Sequence, residues 1–322
     1  MTPDIKIDIV YLWVDDSDKK WRAQKDKWLE IIKGEKPVSN DASTNARWRD
    51  NGEFLYSLRS VDKFAPWVNH IYIITGFNQV PRWLNIKHPK ITIVPHEQIM
   101  PHDALPTFNS VAIEMCIPNI PGLSEHFLLM NDDMFFNRPL TPDFFYDARG
   151  RARILYSTHA KHDKNIGTWM TQVDEYTQTL ILAAKSIDKI FGKSLYKYRP
   201  AHSIDPYIKS SWIECRNHPL LTGHIDKQIR NKFRTNNELQ RWLFNLYDLI
   251  SVPLRCTTIE LSGIVQLVST QPAPTTQFLP IVVFFSITVL APIQDFSPIW
   301  TFPVLNLLAF NPPTARKSWS WS

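Results

Sequence analysis

One stretch constrains the fold of this chain more than any other: Ile7 to Val14 (IDIVYLWV) is a nearly continuous apolar run rich in β-branched and aromatic residues. A strand with one wet face alternates apolar and polar residues. A near-unbroken run suits a strand buried on both faces, as in a parallel sheet covered by helices. The run ends in acid, at Asp15, Asp16, Ser17 and Asp18. Open α/β sheets bind ligands in the crevice at the carboxyl ends of their strands, which makes this loop the first candidate site wall.

The alternation continues downstream. Asp50 and Glu53 give a D-x-x-E start signal, and Phe54, Leu55, Leu58, Val61 and Phe64 follow at helical spacing up to Pro66, which predicts a helix. His70 to Thr75 and Lys90 to Pro95 predict two strands, separated by a Gly/Asn/Pro-punctuated link. Thr107 offers a cap for a second helix, with Phe108, Val111, Ala112, Met115 and Cys116 on its apolar face before Pro118. His126 to Met130 predicts another strand, running straight into Asn131, Asp132 and Asp133. Helical periodicity returns over Thr168 to Ile190 and Glu238 to Ile250, on either side of a segment dense in Tyr, His, Arg and Pro.

The whole chain has 322 residues, 44% of them apolar, enough for one large α/β domain. Its net charge of +5, without a dense basic run, argues against nucleic acid as a partner and suits an anionic substrate or membrane surface. Cys116, Cys215 and Cys256 are odd in number and widely spaced, which fits neither a disulfide framework nor a CxxC metal site. Met1 to Lys6 lacks the pattern of a secretory signal. Phe278 to Ile293 is broken by Pro280 and Pro292, and is shorter than the roughly 20 residues of a spanning helix. A cytoplasmic location is therefore expected, with peripheral contact to the cytoplasmic face of a membrane left open.

Beyond residue 250 charged residues almost vanish and no amphipathic period persists. The expected division is a catalytic domain over 1–250 and a poorly structured tail over 251–322. Composition leaves three origins for the tail open: an unordered appendage, a membrane-touching segment, or out-of-frame sequence.

Adjacent carboxylates on a strand-end loop can offer hard oxygen ligands to Mg²⁺ or Mn²⁺, so Asp132 and Asp133 are candidate metal ligands. A cation there would neutralise a diphosphate, although Asn-Asp-Asp is also a common turn. If the strands are parallel, Asp15 and Asp18 face the same edge. Arg47 and Arg49 precede a helix start and could hold a phosphate with Asp50, or simply pair with surface acids. His202 and Arg234 have the chemistry of a base and an oxyanion clamp, yet ten histidines make any one of them unremarkable alone.

Taken together, these residues resemble a known family. DIVYLWVDDSD (Asp8 to Asp18), the segment from Arg47 to Thr75, IVPHEQIMP with LPTFNSVAIE (Ile93 to Glu114), and IPGLSEHFLLMNDDMFFNRPL (Ile120 to Leu140) look like the conserved regions of the Stealth family. That family comprises bacterial capsular polysaccharide phosphotransferases and the animal N-acetylglucosamine-1-phosphotransferase. The resemblance spans nearly all of residues 7 to 250. It implies a Rossmann-like, glycosyltransferase-like α/β core with a mainly parallel sheet and flanking helices. It also implies a UDP-N-acetylhexosamine-type donor, a polysaccharide acceptor, a divalent cation of the Mg²⁺ or Mn²⁺ kind, transfer of sugar 1-phosphate with release of UMP, and room for peripheral contact with the inner membrane or capsule assembly machinery.

By the same resemblance Asp133 is the metal-associated second aspartate of the NDD motif, with Asp132 beside it. His202 (in PAHSID) is the base and Arg234 (in KFRTNNEL) the phosphate clamp. Asp15, Asp18, Arg47, Arg49, Asp50, Asn109 and Ser110 line the pocket. One departure stands out: the fourth block of the family, with its Asn-Asp element, is not found after Ile250, where the low-charge tail stands instead. A frameshifted end, leaving a weak or inactive enzyme, and a natural short variant both account for it. Two other functions fit the same residues: a metal-dependent glycosyltransferase releasing UDP, and a catalytically impaired nucleotide-sugar-binding protein.

Overall fold

The computed structural model describes residues 5–35, 48, 50–158, 173–196, 198–201, 203–251, 256–262 and 286–288. Strand β1 (Ile7–Leu12) lies at the centre of a five-stranded sheet, beside β2 (Ile71–Thr75) and β4 (His126–Asn131). The order is β3-β2-β1-β4-β7, with β3 at Ile91–Pro95 and β7 at Asp205–Ile208. The first four strands are mutually parallel, and β7 pairs antiparallel with β4. The expected α/β core with a mainly parallel sheet and flanking helices is what the chain forms.

The unbroken apolar run has the predicted cause. Alternate β1 residues enter different cores: Ile7, Ile9 and Tyr11 pack with Phe54, Leu58 and Val61, and Val10 packs with Val111, Ala112 and Trp212. Those partners belong to helices on the two faces of the sheet, so β1 needs apolar residues at consecutive positions. Asp8 breaks the run and is also fully buried, because its carboxylate accepts from Asn69 Nδ2 and Ser124 N, both at 2.7 Å.

The helices in chain order are α1 (Lys19–Glu35), α2 (Glu53–Phe64), α3 (His96–Ile99), α4 (Ser110–Glu114), α5 (Glu175–Phe191), α6 (Lys209–Arg216), α7 (Thr222–Gln228) and α8 (Trp242–Ser251). The predicted α2, β2, β3 and β4 all form. Two predictions are corrected in detail. Asn109, not Thr107, caps α4, accepting from Val111 N and Ala112 N. α8 starts at Trp242 rather than Glu238, whose carboxylate bonds elsewhere. In addition, α1 was not anticipated, because its stripe of Trp21, Trp28, Leu29 and Ile32 is diluted by lysines, one of which, Lys25, lies on the buried face itself.

A smaller sheet, ordered β6-β5-β8-β9, is built from Tyr198–Pro200, Ala152–Thr158, Cys256–Ser262 and Ser286–Thr288. Two pieces of the segment set aside as a tail are therefore strands, β8 lying parallel to β5. The remainder of that segment is outside the described residues. Among those described, no helix is long and apolar enough to cross a membrane, and Cys116 and Cys215 are free and buried.

Candidate active site at the carboxyl edge of the sheet

β1 and β4 are neighbours in parallel register, from Ile7 opposite His126 to Leu12 opposite Asn131. The two acidic turns that follow them therefore emerge side by side, as the parallel arrangement required. The turn after β1 is answered by donors. Asp15 Oδ1 accepts from Ser17 N at 2.8 Å, and its backbone exchanges two hydrogen bonds with the Gln79 side chain at 3.1 and 2.8 Å. Asp18 Oδ1 accepts from Lys20 N at 2.8 Å and Trp21 N at 3.3 Å, capping α1.

The turn after β4 meets other carboxylates. Burial pushes the half-buried Asp132 up to about 7, with Asp133, Glu53 and Asp50 adding to the rise. Asp50 is held by Trp13 Nε1, which donates to Oδ2 at 3.1 Å, and by Gly52 N, which donates to Oδ1 at 2.7 Å. Gly52 has φ of 88°, a left-handed conformation that lets the chain fold back before α2 begins at Glu53. Ser57 and Ser60 on α2 fix the far side of the turn: Ser57 Oγ donates to Met134 O at 2.5 Å, and Ser60 Oγ accepts from Phe136 N at 2.9 Å. Ser57 also shares a 2.9 Å hydrogen bond with the buried Tyr11 hydroxyl. Glu53, read from sequence only as a capping residue, thus belongs to the acidic group.

A second cluster carries the cation expected of a phosphate clamp. Arg234 Nη2 donates to Ser110 Oγ at the first residue of α4. Asn109 is fully buried: its Oδ1 caps α4 while its Nδ2 donates to Glu238 Oε1 at 2.8 Å and to Phe233 O at 3.3 Å. Asn109 thus supports the Ser110–Arg234 pair from beneath. Glu238 Oε1 also accepts from Asn231 Nδ2 at 2.9 Å, and burial pushes this carboxyl up to about 7 against those two donors. Sequence alone placed Glu238 at the start of a helix. No short-range signal reveals a partner 129 positions away.

Aromatic packing places the arginine–serine cluster at the edge where β1 and β2 end. Phe108 stacks on Phe233 with ring centroids 5.3 Å apart, and on Phe77 at 6.1 Å, while Trp21 meets Phe108 edge-on at 5.5 Å. Val14, from the turn after β1, packs into the same group, and Phe108 N donates to Lys232 O at 2.9 Å. Residues just past β1 and β2, just before α4, and just before Arg234 therefore share one roof over the strand ends.

His202, Arg47 and Arg49 lie outside the described residues. The chain on either side of His202 is anchored: Ala201 N donates to Leu155 O at 3.2 Å, and β7 begins at Asp205, opposite Leu129 of β4. Among the described residues no three His, Cys, Asp or Glu side chains converge as a ready-made metal cage. The acidic pair still fits a cation of the Mg²⁺ type, which takes one or two carboxylates and completes its shell with water and substrate phosphate. Burial first, and the neighbouring acids after it, raise the proton affinity of Asp132, and added positive charge opposes both.

Residues 6–33 match the family model for Stealth protein CR1, conserved region 1, and residues 47–154 match that for Stealth protein CR2, conserved region 2. The chain is 34% identical to an exopolysaccharide phosphotransferase of Lactiplantibacillus plantarum, covering 76% of each chain. It is 37% identical to a capsular polysaccharide phosphotransferase of Haemophilus influenzae over 74% of this chain and 64% of that one. It is also 33% identical to a capsular polysaccharide phosphotransferase of Streptococcus pneumoniae, over 76% and 78% of the two chains. A solved structure, the Mycobacterium tuberculosis glucosyl-3-phosphoglycerate synthase, aligns with a TM-score of 0.29 and 10% identity over 65% of this chain and 58% of that one, a likeness too slight to bear on the fold. With both conserved regions in place, and three-quarters of a phosphotransferase aligned at one-third identity, the chain belongs to the Stealth family and to its class of phosphotransferases.

Proposed function

We propose that the chain transfers hexose or hexosamine 1-phosphate from a UDP-N-acetylhexosamine-type donor to a hydroxyl of a capsular or surface polysaccharide, forming a phosphodiester and releasing UMP. The observation that carries this reading is the carboxyl edge of the sheet, which holds an acidic turn at the end of β4 and an arginine–serine pair beside the aromatic group that covers the ends of β1 and β2. A diphosphate needs both kinds of neighbour, because its oxygens carry charge on the leaving side and on the phosphorus under attack.

Asp132 and Asp133 would hold Mg²⁺ or Mn²⁺, which supplies charge neutralisation on the diphosphate when bound. Arg234, oriented by Ser110, holds non-bridging oxygens of the β-phosphoryl group. The acceptor oxygen forms a bond to the β-phosphorus, the bond from that phosphorus to the UMP oxygen breaks, and the anomeric C–O bond stays intact. His202 keeps the role that the family resemblance gives it, taking the proton of the acceptor hydroxyl. Asp15, Asp18, Arg47, Arg49 and Asp50 are assigned to the wall around the nucleotide. The enzyme is placed in the cytoplasm, reaching its polysaccharide acceptor at the inner face of the membrane.

Product analysis tests the reading. Incubation with UDP-N-acetylglucosamine or its galacto epimer, Mg²⁺ and oligosaccharide from the native capsule should yield UMP and a phosphorus-31 phosphodiester signal. UDP with a plain glycoside would replace this reading with glycosyl transfer. Donor binding without nucleotide release would mark a binding protein.

A further inference from the structure

Beneath the Ser110–Arg234 pair lies a buried ionic triplet that the mechanism above does not use. Arg241 Nη1 donates to Glu114 Oε1 at 2.9 Å, and its Nε donates to Asp205 Oδ2 at 3.3 Å. The arginine side chain is 19% exposed, and the two carboxylates 6% and 7%. Burial works against the charge on Arg241, and Glu114 and Asp205 outweigh it. Two acids facing one base leave a polar excess: Glu114 Oε2 and the Tyr207 hydroxyl are buried with no hydrogen-bond partner among the described residues.

Such a cluster is a poor way to gain stability, because desolvating three charges cancels most of their attraction and apolar packing would serve as well. Its distinctive property is geometric. A planar guanidinium with two fixed acceptors sets both distance and angle between the elements that carry them. Those elements are the ones that matter here. Glu114 ends α4, one turn from Ser110 at its start. Asp205 opens β7, opposite Leu129 and two positions before the end of β4, which leads into Asp132 and Asp133. Arg241 itself closes the segment that carries Arg234 and precedes α8.

We infer that Arg241, through Glu114 and Asp205, is a positioning residue for the transfer step: it locks α4, β7 and the segment from Arg234 to Arg241 in the one arrangement that keeps the Arg234 guanidinium against Ser110. This rests on reading Arg234 as the phosphate clamp. Arg241 touches no substrate. Its loss acts on turnover, because a clamp displaced by a fraction of an ångström still meets the donor but no longer matches the charge that develops on the phosphoryl oxygens.

The probe is UDP-N-acetylglucosamine with Mg²⁺ and water as acceptor, a reaction that gives UMP and sugar 1-phosphate. Arg241→Lys keeps the charge and loses the two-acceptor geometry. It should keep donor affinity within about threefold while kcat for UMP release falls about tenfold or more. The double variant Arg241→Lys with Ser110→Ala should be no slower than the worse single variant, since both act through the placement of Arg234. A crystal structure of Arg241→Lys should show Arg234 away from Ser110. Glu114→Gln, which keeps the side-chain shape, should reproduce the kcat loss and serves if the lysine variant fails to fold. Wild-type turnover in Arg241→Lys, additive losses in the double variant, or Arg234 still seated on Ser110 would each overturn the inference. Undiminished turnover in Arg234→Lys is a different result: it would remove the clamp reading itself.

Discussion

Two acidic turns leave neighbouring strands of one sheet on the same edge, and the structure treats them in opposite ways. After β1, Asp15 and Asp18 are met by backbone N–H groups, one closing a turn and the other capping α1. After β4, Asp132 is met by Asp133, Glu53 and Asp50, and burial holds its proton up to about 7. The first turn has settled its charge within the protein. The second has a surplus that only an outside cation or a proton removes, and that difference separates an acidic loop from a candidate metal site.

The largest effect that would break this comparison is on turnover. Asp133→Ala should lower Mg²⁺-dependent UMP release by on the order of a thousandfold, while Asp18→Ala should change it by no more than about threefold. Initial rates at saturating donor, across a Mg²⁺ titration, measure both. Equal losses in the two variants would mean that the turns share the work and that the hydrogen bonds around Asp18 are incidental.

Next in size is a pH effect at the second cluster, where Glu238 is more deeply buried than Asp132 and faces amide donors instead of acids. Its folded pKa of about 7 lies above its ordinary 4.5, so the native state keeps a proton that the unfolded chain releases in that window. The stabilising contribution is complete below pH 4.5 and is lost as pH rises through 7. The gap corresponds to on the order of 3 kcal/mol, and Asp205, pushed up to about 6 by burial, adds a loss of the same sign at lower pH. Glu238→Gln keeps a carbonyl oxygen for Asn109 and Asn231 and carries no proton equilibrium. Urea denaturation at pH 5, 6 and 7 should show a flatter profile for the variant. An unchanged slope would locate the titration elsewhere.

The first turn and the second were equally visible in the sequence, and indistinguishable there. The β1 run, the α2 periodicity and the HFLLM strand are local patterns, each confined to a few consecutive turns or pleats, so they could be read directly and the parallel edge followed from them. What separates Asp132 from Asp15 is the identity of groups brought in from α2, and the supports of Arg234 are more distant still. Asn109 reaches Glu238 across 129 positions and Arg241 reaches Glu114 across 127. β7 was missed for a different reason: Pro206 argues against a strand, and is tolerated because β7 is the last strand of its sheet. The stripe of α1 was hidden by its lysines, one of which, Lys25, lies buried with its ammonium 4.6 Å from the Trp48 ring centroid.

The smallest effect is also the cleanest, because it turns on sign. Asp18→Ala removes the acceptor for Lys20 N and Trp21 N and should cost about 1 kcal/mol of stability, the usual worth of a helix cap. Asp132→Asn, measured without divalent cation near pH 8, removes a carboxylate whose neighbours repel it and should raise stability by about 1 kcal/mol after allowance for its partial exposure. Adding Mg²⁺ should then stabilise the parent chain and leave the asparagine variant almost unmoved, since a cation contributes only through the state that binds it. Thermal unfolding of both variants with and without Mg²⁺ reads all four quantities. A loss of stability in Asp132→Asn without metal would show that the acids after β4 are as well answered as those after β1.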